Sequence, residues 1–164
     1  MSNKTPSVSR AKTASARSKI TTKRIWLVFM SVVVLLGIAF VALSQQGTYL
    51  ELGGTRFNAE VMDTDESRKQ GLSGRDGLAQ DAAMLFVFET SKTQCIWMKD
   101  MRFDIDILWF DSAQRLVSQK RRVSPQTYPK SFCVDNAQYV VELAAGTAQA
   151  LGLEQGDTFV LQRR

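Results

Sequence analysis

The chain has 164 residues, 21 Lys and Arg against 16 Asp and Glu, a formal net charge of +5 and no histidine. The missing histidine excludes Ser-His-Asp and Cys-His nucleophile systems and removes the commonest metal ligand. The basic balance is confined to residues 1–24, where Lys4, Arg10, Lys12, Arg17, Lys19, Lys23 and Arg24 stand without an acid; the rest carries 14 basic against 16 acidic side chains, which argues against nucleic-acid binding.

Residues 1–24, rich in Ser, Thr, Lys and Arg, bury too little to fold and read as a disordered basic cytoplasmic tail. Ile25 to Ser44, IWLVFMSVVVLLGIAFVALS, carries no charge. As a helix it spans about 30 Å, the thickness of a bilayer core. A cationic flank ahead of it predicts a single-pass signal anchor, N-terminus inside, with the domain from 48 to 164 extracytoplasmic, in the periplasm. Secretion after cleavage near Ala42-Leu43-Ser44 is the alternative; the run is longer than the usual apolar core of a signal peptide.

TYLELGG and TRFNAEVMD read as a hairpin turned by Gly53-Gly54. Asp63 and Glu66 stand at capping-box spacing for a short helix that Gly71 stops. Strands are predicted at 83–89, 95–98, 103–111 and 115–124, a loop at 125–138, a strand at 139–146, a short helix in TAQALGL, a turn at EQGD and a last strand in TFVLQ. About eight strands and two small helices predict a mainly β domain, a compact antiparallel barrel or sandwich.

Cys95 and Cys133 both lie in the exported part, where an even pair most often bridges. Closing that loop stabilises the fold by about 3–4 kcal/mol in the chain-entropy model. Two cysteines alone build no structural zinc site; no metal or cofactor is expected, with only an oxygen-ligated Ca²⁺ or Mg²⁺ left open.

Several motifs follow in order: Arg68, Gly71-Leu72 and Arg75; Met84-Leu85-Phe86; Trp97-Met98-Lys99; Asp106-Ile107; and Glu142, Ala145-Gly146 and Gly156-Asp157. In this series the chain resembles the family called domain of unknown function 192. The likeness covers residues 55–162. It departs at Asp100, where the family commonly has Asn, and at Asp104, where it commonly has Pro. The resemblance implies a compact β-rich fold, often behind an export signal or anchor, and no settled activity.

The charges in CIWMKDMRFDIDILWF are the candidate site. On a strand Asp104 and Asp106 share one face, while Phe103, Ile105 and Ile107 share the other. The pair reads as an ordinary wet face, as part of a polar cleft with Lys99, Arg75 or Arg68, or as catalytic carboxylates. If Ile96 and Met98 face inward, Trp97 and Lys99 turn outward together as a stacking site. Arg68 and Arg75 also read as braces for Glu142, which needs a partner if buried. Gly71, Gly146, Gly156 and Asp157 read as structural. Lys120-Arg121-Arg122 reads as a solvated face or a membrane-proximal strip.

The leading expectation is a membrane-anchored binding module for an envelope glycan, a peptide or a partner protein, using Trp97, Lys99, Asp106, Arg75 and Arg68. A small hydrolase or carbohydrate-active enzyme using Asp104 and Asp106, and an assembly factor without a small-molecule site, are the alternatives.

Overall fold

A computed structural model describes residues 26–27, 29–32 and 47–163. The chain divides into two units, residues 1–45 and 46–164. In the first, residues 26–27 and 29–32 are helical. Most of the expected anchor at 25–44, and the whole tail at 1–24, lie outside the described residues; among those described, no helix is long and apolar enough to cross a membrane.

The second unit runs β1 (Thr48–Leu52), β2 (Thr55–Met62), α1 (Asp65–Gln70), β3 (Ala82–Trp97), β4 (Ile105–Phe110), β5 (Leu116–Val123), a 3-10 turn (Pro125–Thr127), β6 (Ser131–Ala144), α2 (Thr147–Ala150) and β7 (Phe159–Arg163). The strands form one sheet in the order β5-β4-β6-β3-β2-β1-β7. It curls into a half-barrel: Arg115 bridges Thr158, and the Leu116 N–H donates to the Asp157 carbonyl at 2.7 Å, which draws the β5 and β7 edges together.

Three features differ from the sequence expectation. The sheet is not wholly antiparallel, because β2 and β3 run parallel. A parallel pair needs a crossover, and residues 63–81, with α1 inside, supply it. The strands predicted at 83–89 and 95–98 are one strand, β3, whose polar middle is a register shift between Val87 and Lys92 opposite β6. The loop predicted at 125–138 is strand from Ser131 onward, so Cys133 sits in a ladder.

Alternation explains the packing. One face of the sheet gathers Leu50, Phe57, Leu85, Leu108, Phe110, Val141, Leu143 and Phe159, closed by Ala148 of α2 and by Leu153. The other gathers Met84, Phe86, Ile107, Trp109 and Val140, closed by Leu72 of the crossover and by Ile96 and Met98. Each large apolar side chain buried this way contributes about 1.5–3 kcal/mol. Because both faces are covered, all six residues of β4 are buried, including Asp106.

Cys95 and Cys133 oppose each other in the β3–β6 ladder, with sulfurs 2.08 Å apart. Thiol titration of the denatured, unreduced protein is expected to find no free thiol. Two free thiols per chain would remove the bridge from the native protein.

Candidate functional site

The crossover shapes a cleft. Thr64 caps α1: its Oγ1 accepts from the Ser67 N–H at 3.1 Å, and the Ser67 Oγ accepts in return from the Thr64 N–H at 3.1 Å. The box therefore sits one residue after the Asp63–Glu66 pair that spacing had singled out. Gly71 ends the helix at φ 45°, ψ −132°, a conformation that L side chains rarely adopt. A Cβ there would lie 3.2 Å from the Phe86 ring. Gly71→Ala is therefore expected to destabilise the domain by about 1–3 kcal/mol, read by thermal unfolding.

The loop after Gly71 is tied to the turn after β3. The Ser73 Oγ donates to the Lys99 carbonyl at 2.9 Å, and the Gly74 N–H donates to the Asp100 carbonyl at 2.9 Å. Between α1 and the Cys95–Trp97 end of β3 lies a cleft of about 220 Å³, lined by Leu72, Phe86, Phe88, Ile96, Trp97 and Met101, with Glu142 contributing from β6. Ile96 and Met98 point inward and Trp97 outward, 53% exposed, as alternation along a strand requires.

Glu142 is the unusual group. It sits on β6 opposite Met84 and Ile107, on the apolar face, and is only 5% exposed. Its carboxyl makes no hydrogen bond or ion pair with the described residues. Burial pushes its pKa up to about 8, against the weaker downward pull of the Arg75 charge. At neutral pH it is mostly a neutral acid.

Both arginines expected to brace it are committed elsewhere. Arg68 Nη1 donates to the carbonyls of Asp63 and Val87, each at 2.7 Å, and Nη2 reaches Asp65 at 2.5 Å. Its guanidinium also lies 5.3 Å from the Phe88 ring centre. Arg75 forms a two-pronged pair with Glu60 at 2.6 and 2.7 Å. That hydrogen bonding holds Glu60 below its ordinary pKa and Arg75 above its own. The reason is geometric: the crossover carries Arg75 alongside β2, where the exposed Glu60 meets it before the buried Glu142 can.

The other predicted residues separate. Asp104 precedes β4 and is exposed, while Asp106 is inside the strand and fully buried. The two do not share a wet face. Asp106 Oδ2 accepts from the Gly146 and Ala148 N–H groups at 3.0 and 2.8 Å, and Oδ1 accepts from the Arg122 N–H at 2.8 Å. That uses the carboxylate structurally, far from the wet role alternation had offered it. Of the five predicted ligand residues, Trp97 and Arg68 line the cleft; Lys99, Arg75 and Asp106 do not. Gly146 adopts φ 92° at the start of α2. Gly156 and Asp157 hold the β5 and β7 edges together. Among the described residues no group of three or more acidic or cysteine side chains is placed to hold a metal ion.

The DUF192 family model, described as uncharacterised, matches residues 48–161. A UPF0127 protein of Thermococcus kodakarensis is 37% identical over 78 residues, covering 46% of this chain and 47% of its own. A UPF0127 protein of Thermococcus gammatolerans is 31% identical over 101 residues, covering 61% and 63%. The chain thus spans about half to under two thirds of these relatives' length. A Novosphingobium aromaticivorans structure of unknown function superposes with a TM-score of 0.64 at 20% identity, over 70% of this chain and 83% of that one. A Sinorhizobium meliloti structure, described as a proposed transcription regulator, gives 0.64 at 26%, over 70% and 91%. With the family's model matching well over half of the chain, and all seven strands at least in part, the chain belongs to the DUF192 family.

Proposed function

We propose that this is a single-pass, membrane-anchored protein whose exported β-domain binds peptide ligands, one ligand side chain entering the cleft above Glu142. The anchoring rests on the cationic leader and the uncharged segment at 25–44. The observation that carries the binding is a buried carboxyl without a partner at an open, aromatic-lined cleft. A carboxyl that meets no protein partner and opens only onto the cleft leaves its hydrogen-bonding capacity to a ligand that enters there.

A peptide side chain suits this cleft better than a glycan. At about 220 Å³ it lies below the usual range for drug-sized ligands and accepts a slender group. Its polar rim is already engaged: Gln70 Nε2 donates to the Ser73 carbonyl, Ser73 to Lys99, and Arg68 to its carbonyls and Asp65. A sugar ring would find few free partners for its hydroxyls. The hydrolase reading has less support, because the Asp104–Asp106 pair it needs is split between solvent and core.

Two measurements test the proposal. Protease added to intact spheroplasts is expected to remove residues beyond 47; full protection would end the export. Titration of the full-length protein in micelles with a capped random tripeptide pool is expected to shift the Trp97 indole resonance. Trp97→Ala should weaken that binding about threefold, a loss of under 1 kcal/mol at a half-exposed ring. A pool that moves no cleft resonance would reject peptide binding.

A further inference from the structure

The cleft's chemistry narrows the ligand class, an inference that rests on the peptide reading above. We infer that the side chain entering the cleft carries a primary ammonium, as lysine does, and that it pairs with the Glu142 carboxylate beside the rings of Phe86 and Trp97, the Phe88 ring being already covered by Arg68.

The geometry supplies an acid at the base of the cleft and aromatic rings around it. Ring faces attract cations, and most strongly where water is excluded. An alkyl stem four carbons long fits an apolar slot while its charge reaches a polar end. A neutral hydroxyl could also meet Glu142, but it would gain only an ordinary hydrogen bond, whereas charge assistance roughly doubles one.

The charged groups around Glu142 do not fill this role themselves. On the crossover, Arg75 is held by Glu60 of β2. On α1, Arg68 is held by Asp65 and two carbonyls, and Lys69 lines the cleft on an exposed turn of the helix. On β3 and β4 the residues opposite Glu142 are the apolar Met84 and Ile107. The acid therefore faces two satisfied guanidinium groups and one peripheral ammonium, and none of them contacts its oxygens.

Binding then moves one proton. The neutral Glu142 acid gives its proton to the buffer as the ligand ammonium, which stays protonated, takes its place beside the carboxylate. Affinity for an alkylammonium should therefore rise between pH 6 and 8, where Glu142 loses its proton anyway, and level off above.

The test compares three capped amino acids by NMR titration of the full-length protein in micelles: N-acetyl-lysine methylamide, its 6-hydroxynorleucine analogue, which replaces the ammonium with a hydroxyl, and the Nε-acetylated form. Methyl glucoside is the fourth ligand. The lysine probe is expected to bind at least tenfold more tightly than the hydroxyl analogue at pH 8. Glu142→Gln, which keeps the shape of the neutral acid, should abolish that preference while Cα shifts elsewhere stay put. Calorimetry at pH 6.5 in two buffers of different ionisation enthalpy should show close to one proton released per lysine probe.

Equal binding of the lysine and hydroxyl probes would overturn the ammonium, and an unchanged lysine preference in Glu142→Gln would overturn its pairing with Glu142; either result leaves the peptide reading standing. Binding of methyl glucoside alone, or of none of the four, would overturn both.

Discussion

Replacing Asp106 with alanine is expected to cost about 3–5 kcal/mol of folding stability and to lower the midpoint of thermal unfolding by roughly 15 °C. The size follows from what the carboxylate holds. β4 and β5 lose register between Ile105 and Ile107, so that Arg121 and Arg122 together stand opposite Asp106. Arg122 takes up the extra length at φ 51°, and Asp106 satisfies its N–H. The other carboxylate oxygen accepts from Gly146, at φ 92°, and from Ala148 at the entry to α2. One side chain thus fixes a bulge and a chain reversal, each with a residue in the left-handed half of backbone space.

Alanine would leave three N–H groups without their acceptor, that of Ala148 in a buried hydrogen bond and those of Arg122 and Gly146 in part-buried ones. Asparagine keeps one oxygen but turns an N–H₂ toward N–H donors, so Asp106→Asn should recover less than half of the loss. Asp104→Ala, at an exposed position, should fall within about 0.5 kcal/mol of the parent. Urea unfolding of the three variants checks this. If Asp106→Ala lay within 1 kcal/mol of the parent, the carboxylate would not be the clamp described.

The contrast between the two aspartates shows what the sequence could convey. Period-two alternation in FDIDILWF assigns Asp106 correctly to the face opposite Ile105 and Ile107. It cannot say whether that face is wet, because wetness depends on what the curl of the sheet and α2 bring over it. The same limit hid Glu142. Its flanks, Val141 and Leu143, reveal a strand, and burial makes a partner the natural expectation. The two candidate partners lie in a crossover whose path is a long-range property, and it delivers them to Glu60 and Asp65 instead.

Local signals fared better. Gly71 marks the helix stop, the Gly53-Gly54 pair marks the β1–β2 turn, and Ile96-Trp97-Met98 reads inward, outward, inward. Parallel pairing of β2 with β3 left no local trace. Nor did the joining of the two predicted strands into β3, because the exposed run Glu89–Thr93 between them looks like a loop.

Glu142 should also give the domain an unusual response to alkali. With a folded-state pKa near 8 against an ordinary 4.5, the native protein holds a proton that the unfolded chain has released throughout that window. The contribution of this residue to stability is intact below about pH 4.5 and falls as pH rises, at up to about 1.4 kcal/mol per pH unit. The loss is complete above pH 8 and totals about 4–5 kcal/mol if the whole shift is expressed. Glu60 acts in the opposite sense: Arg75 lowers its pKa, so its smaller contribution is present at neutral pH and lost in acid. The half-exposed surroundings of that pair keep its effect small. Stability should therefore peak in mildly acidic solution and decline steadily toward pH 8.5. Glu142→Gln removes the titrating group while keeping its volume, and should flatten the decline, making the variant more stable than the parent by about 2–4 kcal/mol at pH 8.5 and nearly equal to it at pH 5. Chemical unfolding across pH 5 to 8.5 reads both curves. Parallel curves for the parent and Glu142→Gln would mean that Glu142 is ionised in the native state, and the neutral acid at the base of the cleft would have to be abandoned.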